Sequence, residues 1–472
     1  MIGSIVNHPL FGRGQMMELR HAGREAAVRF DNGIRAVVPA SILSILQSPD
    51  SPLTPPPRPL VASRVEAAPT PAQLQRFAAR RTIEALRYGV VPHQRIRELS
   101  AGLERERASL QRAFDEVAHS GGDVRVILGE YGTGKSHFFE LASQEALARN
   151  FLVATTSLDV REVPPNRPQR IYNSLVRHLH YPDSSETGTL TPLFERLLSQ
   201  PAVYAPLMER LHGTIFSSVL YNYSLMRGTP GEALNALLDW ISGEKIYIKA
   251  VRDAVAVKNK EFPIRSLSMM TTSADQYCYL LSGWGWLAAQ AGYAGLVVLM
   301  DESEHYSLLN ERGQERADNF FKGLMYTALS SRPDCRISEE QLVHHANAHP
   351  FRFADRSHLL VMFALTPSAS TFAYRRWLSD DQIIALGSQL SAEALDELMA
   401  RLYVLHRQAY GYERSDNYLD VAHGLLECLE GKLINLRQMI RLATEIYDLC
   451  YAHPDFNAAQ AVVELRRVLL GR

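Results

Sequence analysis

The sequence of 472 residues contains few cysteines and no long uninterrupted apolar run. Its four cysteines form no CxxC pair, which argues against a zinc ribbon, a thioredoxin-type site and a disulfide scaffold. The longest apolar stretch, around residues 280–300, is interrupted by glycines, so we expect no membrane span. The first residues have neither a charged n-region nor an apolar h-region, so we expect no signal peptide. Together these absences predict a cytoplasmic protein.

An excess of either charge is also missing. Lysine and arginine total 50, aspartate and glutamate total 51, and the net charge is −1. A hydrophobic content of 46% and a charged content of 21% are typical of globular proteins, so a disordered or collagen-like chain is excluded. Because there is no global basic footprint, any binding of nucleic acid must come from a local patch.

Two segments carry a local excess of basic residues. Residues 76–107 contain eight arginines against four glutamates. Four of the seven lysines lie close together, namely Lys245, Lys249, Lys258 and Lys260. Solvated helix faces explain both patterns, and contact with the phosphates of DNA or of a nucleotide is the alternative.

Proline marks one boundary in the chain. Residues 49–71 hold eight of the 24 prolines, and proline lacks the N–H that helices and sheets use. We therefore predict a linker over 48–73 that isolates a small module, residues 1–47. In that module a turn signature at residues 31–33 separates two short alternating runs, which favours a β-hairpin. We expect a small SH3- or Tudor-like β-barrel that binds a peptide or nucleic acid or docks on a partner, or else a solubilising or folding appendage.

The middle of the chain alternates between apolar runs and helical patterns. Apolar runs without alternation are typical of parallel strands covered on both faces. They occur at Val124–Leu128, 151–158, Leu296–Met300 and Leu359–Ala364. We predict an α/β domain over 74–385 with a parallel sheet, a helical start over 74–118 and a large helical insertion at about 160–292. Residues 386–472 have helical periodicity throughout and are predicted to form a C-terminal helical lid.

A phosphate-binding P-loop pattern, GxxxxGK[ST], is present in full. It comprises Gly129, Glu130, Tyr131, Gly132, Thr133, Gly134, Lys135 and Ser136, and His137 continues into the predicted helix. A strand before the loop and a helix after it are the context that a P-loop requires. Lys135 is expected to reach the β- and γ-phosphates of ATP, and Ser136 to bind Mg²⁺ through its hydroxyl.

A second acidic motif follows the apolar run LVVLM. Asp301 at the end of this run is expected to complete the Mg²⁺ site, and Glu302 is placed to polarise the attacking water as general base. The Asp-Glu pair therefore favours hydrolysis over binding alone. Glu304, two residues further on, is expected to be a solvent-facing or outlying carboxylate rather than a catalytic one.

Two more positions resemble the sensors of AAA+ ATPases. Thr366 ends the next strand pattern and is the candidate for sensor 1, the polar group beside the γ-phosphate; an ordinary strand-end threonine is the alternative. In the C-terminal region Asn435 is predicted to cap a helix. Arg437 on that helix is the candidate for sensor 2, with Arg441 as second choice, and a surface arginine is the alternative.

An arginine finger would stabilise charge on the γ-phosphate of a neighbouring subunit. Arg352 and Arg356, just before the sensor 1 strand, are the candidates, and Arg332 and Arg336 are rivals. Purely structural arginines are the more common case.

Three segments carry a resemblance to a known family. They are RRTIEALRYGVVP (80–92), the P-loop GEYGTGKSHFFE, and AGYAGLVVLMDESEHY (291–306). These segments resemble the ATP-binding proteins of BREX phage-defence systems, the BrxC/BrxD family, and are closest to BrxD. The family is similar to origin-recognition-type AAA+ ATPases.

This resemblance implies Lys135 and Ser136 in the P-loop, Asp301 and Glu302 in Walker B, and Thr366 as sensor 1. It also implies ATP hydrolysis, assembly on double-stranded DNA as a homo-oligomer, and work with a helicase or methyltransferase. A nucleotide-gated signalling or scaffold protein without DNA contact is the second hypothesis. A P-loop metabolic kinase is disfavoured by the long insertion and the helical lid.

Overall fold

In the computed structural model the chain divides into two units, Met1–Thr70 and Pro71–Arg472. The structure describes residues 4–9, 12–20, 24–31, 35–47, 70–93, 95–229, 231–246, 248–254, 261–265, 267, 274–344, 349–367, 371–387, 391–412, 418–431 and 433–471. The predicted linker falls outside these residues from 48 to 69, and so do Lys258 and Lys260.

The first unit contains an antiparallel sheet. Its strands are β1 (Ile5–His8), β2 (Gly12–Arg20), β3 (Glu25–Phe30), β4 (Arg35–Pro39) and β5 (Ser44–Gln47), in the order β4-β3-β2-β1-β5. Alternate side chains such as Val6, Met16, Val28 and Phe30 form its small core. The predicted strand pair on either side of residues 31–33 is confirmed, since β3 and β4 pair antiparallel with Ala26 opposite Val38. Closure of this sheet into a barrel stays a prediction.

The second unit is built on a larger sheet. Its strands are β6 (Gly122–Leu128), β7 (Leu152–Ser157), β8 (Leu179–His180), β9 (Leu296–Asp301), β10 (Leu359–Leu365) and β11 (Ile383–Ala385), in the order β11-β6-β10-β9-β7-β8. Every pair is parallel except β7 with β8. The four predicted strands are thus confirmed, and they occupy adjacent positions in one parallel sheet.

Helices precede, connect and follow these strands. Their bounds are α1 (Pro71–Arg87), α2 (Glu104–Ser120), α3 (Lys135–Ala148), α4 (Pro168–Arg177), α5 (Thr191–Leu198), α6 (Pro201–Arg210), α7 (Ile215–Met226), α8 (Glu232–Ile241), α9 (Ile248–Ala254), α10 (Ala274–Gln290), α11 (Glu311–Leu329), α12 (Tyr374–Trp377), α13 (Ala392–Tyr410), α14 (Tyr418–Glu430), α15 (Leu436–Ala452) and α16 (Ala458–Leu469). Helices α4 to α10 lie between β7 and β9 in the chain, where the sequence predicts a helical insertion.

Both faces of the parallel sheet are buried, which explains the apolar runs. In β10 the side chains of Val361 and Phe363 join the core shared with the insertion helices. Leu360 and Met362 point the other way, into the core formed with α2 and α3. Because strand side chains alternate between faces, a strand covered on both sides needs apolar residues at every position.

The prediction of helix throughout residues 74–118 is wrong for the segment between Arg87 and Glu104. Helix α1 ends at Arg87 and α2 begins at Glu104, and the described residues between them, 88–93 and 95–103, are not helical. Gly89 and Gly102 have φ of +68° and +67°, a region that favours glycine, and Pro92 cannot donate a helical hydrogen bond. These residues end one helix and delay the next.

The C-terminal helices α13 to α16 pack with α1 rather than with the sheet. Ile83 and Leu86 of α1 share one hydrophobic core with Leu402 and Met439. A polar contact reinforces it, because the Arg87 guanidinium donates two hydrogen bonds of 2.8 Å to the Asp448 carboxylate of α15. Helix α1 therefore belongs structurally to the C-terminal helices although it precedes the sheet in sequence.

Candidate nucleotide site

The P-loop joins β6 to α3 at the carboxyl edge of the parallel sheet. Gly132 and Gly134 have φ of +83° and +99°, so the backbone takes a turn that L side chains rarely adopt. A Cβ on Gly129 would lie 2.4 Å from the Thr133 hydroxyl. The loop is thus closed tightly on itself, and α3 begins at Lys135 with its N-terminal N–H groups beside the loop. This arrangement fits the phosphates of a nucleotide.

Lys135 crosses the loop with its side chain largely buried. Its Nζ donates hydrogen bonds of 2.8 Å to the Gly129 carbonyl and 2.8 Å to Thr366 Oγ1. Both partners are uncharged oxygens. The ammonium charge is therefore held at the loop without a carboxylate at hydrogen-bond distance, which suits a phosphate that binds there.

Ser136 and Asp301 meet beneath the loop. The Ser136 hydroxyl donates a 2.7 Å hydrogen bond to Asp301 Oδ2. Asp301 is the last residue of β9, and it pairs in register with Ser157 of β7. A hydroxyl and a carboxylate are the hard oxygen donors that Mg²⁺ prefers, so these two side chains fit the Mg²⁺ position that the sequence predicts.

Glu302 occupies a strained backbone conformation. Its φ is +56°, which is rare for a residue other than glycine and concentrates at functional sites. The side chain is 48% exposed, and its carboxylate lies 3.8 Å from His305 Nε2. Its assignment as general base stays a prediction.

Thr366 and Glu304 complete the polar cluster. Thr366 directly follows β10, which pairs with both β6 and β9. This central position brings its hydroxyl to Lys135 and within 2.6 Å of Glu304 Oε1, to which it donates. The sequence indicated Thr366 but left Glu304 outside the site, because nothing in the spacing shows that residues 304 and 366 meet.

An apolar cavity of about 100 Å³ lies beside the P-loop. Gly132, Thr133 and His137 line one wall, and the non-helical segment 89–92 lines another. Leu386, Leu398, Leu436, Arg437 and Ile440 close it from the C-terminal side. A cavity that is apolar and adjoins a phosphate loop suits the base of a nucleotide. Sequence reasoning missed this wall because it expected helix there; the GVVP segment that breaks the helix was the available signal.

His137 lies between the loop and this cavity. Its Nε2 is 2.8 Å from the Ser100 hydroxyl, and burial lowers its pKa to about 4. The ring is therefore uncharged at neutral pH and adds no positive charge to the cavity wall on the P-loop side.

The predicted N-cap at Asn435 is confirmed. Its side chain accepts a 2.9 Å hydrogen bond from the Gln438 N–H, in a full capping box. The cap packs on the P-loop, because a Cβ on Gly132 would lie 2.9 Å from Asn435 Cγ. Arg437 donates a 3.1 Å hydrogen bond to the Tyr131 hydroxyl and lies 5.1 Å from the centre of that ring.

The structure thus brings the sensor 2 candidate to the loop. Arg441, the second choice, pairs with Glu445 at 3.0 Å instead.

The arginine-finger candidates lie near the amino ends of the strands. Arg356 donates to the Ala118 and His119 carbonyls at the end of α2. Arg352 lies 3.3 Å from both the Ser330 hydroxyl and an Asp355 oxygen. Their role toward a neighbouring subunit stays a prediction.

The two rival fingers differ in burial. Arg332 is nearly buried and bonds Asp123 at 2.8 Å and Asp334 at 2.7 Å, which is the arrangement of a structural arginine. Arg336 is exposed.

A larger polar cavity of about 790 Å³ opens at Ser136 and Asp301. The ends of β7, one face of α4 and residues 243–245 line it. The insertion therefore contributes a wall next to the predicted Mg²⁺ position, and Lys245 from the predicted basic patch lies on it.

The described ranges contain neither a candidate metal cluster nor a candidate membrane span. There, no group of three or more His, Cys, Asp or Glu side chains could hold a metal ion. No helix of that part of the chain combines the length and apolar character needed to cross a bilayer.

Comparison with known families gives one match. Residues 75–203 match the family described as the BREX system ATP-binding protein BrxC/D. The predicted family resemblance is confirmed. The matched segment contains the P-loop and the segment that lines the apolar cavity, so the family's ATP binding agrees with the site geometry. The match treats BrxC and BrxD together, and closeness to BrxD stays a prediction. No curated protein matches the chain.

Proposed function

We propose that this protein binds and hydrolyses ATP with Mg²⁺ as an AAA+ ATPase of a BREX-type anti-phage defence system. The observation that carries the proposal is the convergence of three strand ends on the P-loop. Lys135 contacts Thr366 of the β10 end, and Ser136 contacts Asp301 of the β9 end. Strand β10 lies between the other two, where a sensor 1 residue is needed to face both the loop and Walker B.

Each side chain then has a distinct task. Mg²⁺ supplies electrostatic neutralisation of the phosphates, and Ser136 and Asp301 would hold it. Lys135 neutralises phosphate charge, and Glu302 accepts a proton from the attacking water at its carboxylate. Arg437 approaches from the C-terminal helices, so it couples the occupied loop to that region.

Assembly on DNA is the finer part of the proposal. The BREX family match supports it, because the resemblance to that family implies assembly on DNA. Lys245 and Lys249 provide exposed or partly exposed positive charge in the insertion. We propose a homo-oligomer on double-stranded DNA that works with a helicase or methyltransferase, with Arg352 or Arg356 supplied to the neighbouring site.

One experiment tests nucleotide binding and assembly together. The mass of Glu302→Gln protein is measured with ATP and Mg²⁺, with and without a short DNA duplex at low salt. A multimer that needs ATP and is enlarged or stabilised by DNA supports the proposal. Lys135→Ala protein, which lacks the phosphate-binding ammonium, should stay in the nucleotide-free state under the same conditions. A monomer with every addition would contradict assembly on DNA.

A scaffold whose assembly is controlled by nucleotide is the second candidate. The separate β-sheet unit favours it, because that unit exposes large apolar side chains at Met17, Val37 and Ile45, which suit a docking surface for a protein. Measurement of ATP turnover with and without duplex DNA at low salt separates the two candidates. An unchanged rate together with no DNA binding would favour the scaffold, since phosphate contacts are strongest at low salt.

A further inference from the structure

Glu304 lies inside the nucleotide site although it follows the Asp-Glu pair by two residues. It belongs to a short 3-10 helix, Ser303–Leu308, that starts directly after Glu302. Its Oε1 accepts the Thr366 hydroxyl at 2.6 Å and lies 3.9 Å from Lys135 Nζ. Its side chain is 23% exposed, less than half the value of Glu302.

The direction of these hydrogen bonds follows from the groups involved. A lysine ammonium only donates and an ionised carboxylate only accepts. The single hydroxyl proton of Thr366 therefore goes to Glu304, and a lone pair of the same oxygen accepts from Lys135. Glu304 thus fixes the orientation of Thr366, and Thr366 in turn holds Lys135 across the loop.

Only one of the two carboxylate oxygens of Glu304 accepts a hydrogen bond from the described residues. Its second oxygen, Oε2, is buried and makes no hydrogen bond to the residues that the structure describes. Lys135 is near but beyond hydrogen-bond distance. A negative charge therefore remains beside the ammonium that is expected to receive the γ-phosphate.

We propose that Glu304 is a positioning residue that competes with the γ-phosphate for Lys135. It holds Thr366 and Lys135 together in the nucleotide-free site, and it opposes the negative charge of a third phosphate. The inference rests on the proposed ATPase function. It predicts that Glu304 lowers the affinity for ATP relative to ADP, while the Thr366 orientation that it maintains supports turnover.

Two variants separate the charge from the hydrogen bond. Glu304→Gln removes the charge and keeps an acceptor for Thr366, whereas Glu304→Ala removes both. Glu140→Gln is the matched control: it removes a carboxylate five residues after Lys135 on α3, one that pairs with His93 instead. Thermal melting of each variant verifies that it is folded.

Affinities for ATP and ADP are measured by calorimetry in EDTA, where Mg²⁺-dependent hydrolysis cannot occur. We expect both Glu304 variants to raise the ratio of ATP to ADP affinity about fivefold, the effect of one charge at 4 Å screened as in water. The control should stay within about twofold of the wild type. With Mg²⁺, Glu304→Ala should lower kcat and KM together, and Glu304→Gln should retain more turnover.

Two results would overturn the inference and are distinguishable from each other. A wild-type protein that binds neither nucleotide contradicts the proposed function and this inference with it. A wild type that binds ATP, combined with an unchanged affinity ratio in Glu304→Gln, contradicts the role of Glu304 alone.

Discussion

Strand β6 has charged groups near both of its ends, and the charges at the two ends have different kinds of partner. At its start, Asp123 is fully buried between Arg125 at 2.7 Å and Arg332 at 2.8 Å. Beyond its end, Lys135 is held by uncharged oxygens, and among the described residues the nearest carboxylate oxygen, from Glu304, lies 3.9 Å away. Charges at the start of the strand are neutralised within the protein, whereas the charge beyond its end stays available to an anion.

This difference in partners distinguishes ionised side chains that stabilise the fold from ionised side chains that bind a ligand. Burial raises the pKa of Asp123, and the two arginines act against that rise. Removal of one partner from such a pair strongly destabilises the fold, because the other partner is left charged and buried. At the nucleotide site, by contrast, we expect removal of a side chain to leave the fold stable and to reduce nucleotide binding or hydrolysis.

The largest effect is expected at the site end, from Glu302→Gln. The change keeps the shape of the side chain and removes the general base, so ATP turnover should fall about 10²- to 10⁴-fold. ATP affinity and melting temperature should stay close to those of the wild type. A coupled assay of phosphate release and calorimetry measure these quantities, and turnover at the wild-type rate would refute the assignment of the base.

The next effect is expected at the structural end, from Asp123→Ala. The buried Arg125 would lose its carboxylate partner and the nearly buried Arg332 would lose one partner while keeping Asp334, so the free energy of unfolding should fall by about 3–5 kcal/mol. Denaturant unfolding measures it. Glu445→Ala is the matched control, because it removes the carboxylate of an exposed pair with Arg441 and should cost under about 1 kcal/mol. An equal loss of unfolding free energy in the two variants would contradict a special structural role for Asp123.

A smaller effect concerns pH at the cavity wall. The pKa of His137 is lowered to about 4 by burial, so protonation favours the unfolded chain, where an ordinary value near 6.5 applies. The stabilisation by the neutral ring is complete above pH 6.5 and is lost as pH falls toward 4. At pH 5 the loss should be about 2 kcal/mol.

Unfolding between pH 7.5 and 5 measures this dependence. His137→Gln should reduce it, since that variant has no proton to take up at this position; His180, His349 and His358, whose pKa values burial also lowers, contribute to the remaining slope. A wild-type slope that survives in the variant would place the pH dependence elsewhere.

The smallest effect is expected from the helix cap on the P-loop. Asn435→Ala should lower stability by about 1 kcal/mol, the usual value of an N-cap, and weaken nucleotide binding as well. Asn457→Ala removes an equivalent cap, with the same contact to the N–H three residues on, from α16. It should lose similar stability and leave nucleotide affinity unchanged. Equal affinity in both variants would show that the Asn435 contact with Gly132 does not matter for binding.

Much of the site could be predicted from the sequence because its elements are local. The P-loop is contiguous, and strands such as Leu296–Asp301 and Leu359–Leu365 are apolar at nearly every position because both faces are covered. Asn435 was recognisable as a cap from its place before an amphipathic run. These signals depend on neighbours in the chain.

Contacts between distant residues could not be predicted in this way. The contact between Glu304 and Thr366 depends on β10 inserting between β6 and β9, a sheet order that no local pattern encodes. The apolar spacing over 74–118 predicts helix across residues 88–103 as well, although Gly89 and Pro92 lie in this segment. Leu99 and Ala101 pack with the C-terminal helices and Ile96 packs with α2 and α3, and these contacts depend on the tertiary structure.

Helix α15 links the P-loop mechanically to α1. It starts at the P-loop contact of Asn435 and extends over 17 residues, about 25 Å at 1.5 Å per residue. A rotation of about 10° at its first turn would carry its far end about 4 Å. Because Asp448 near that end pairs with Arg87 of α1, such a rotation would convert a small change at the phosphates into a larger displacement of α1.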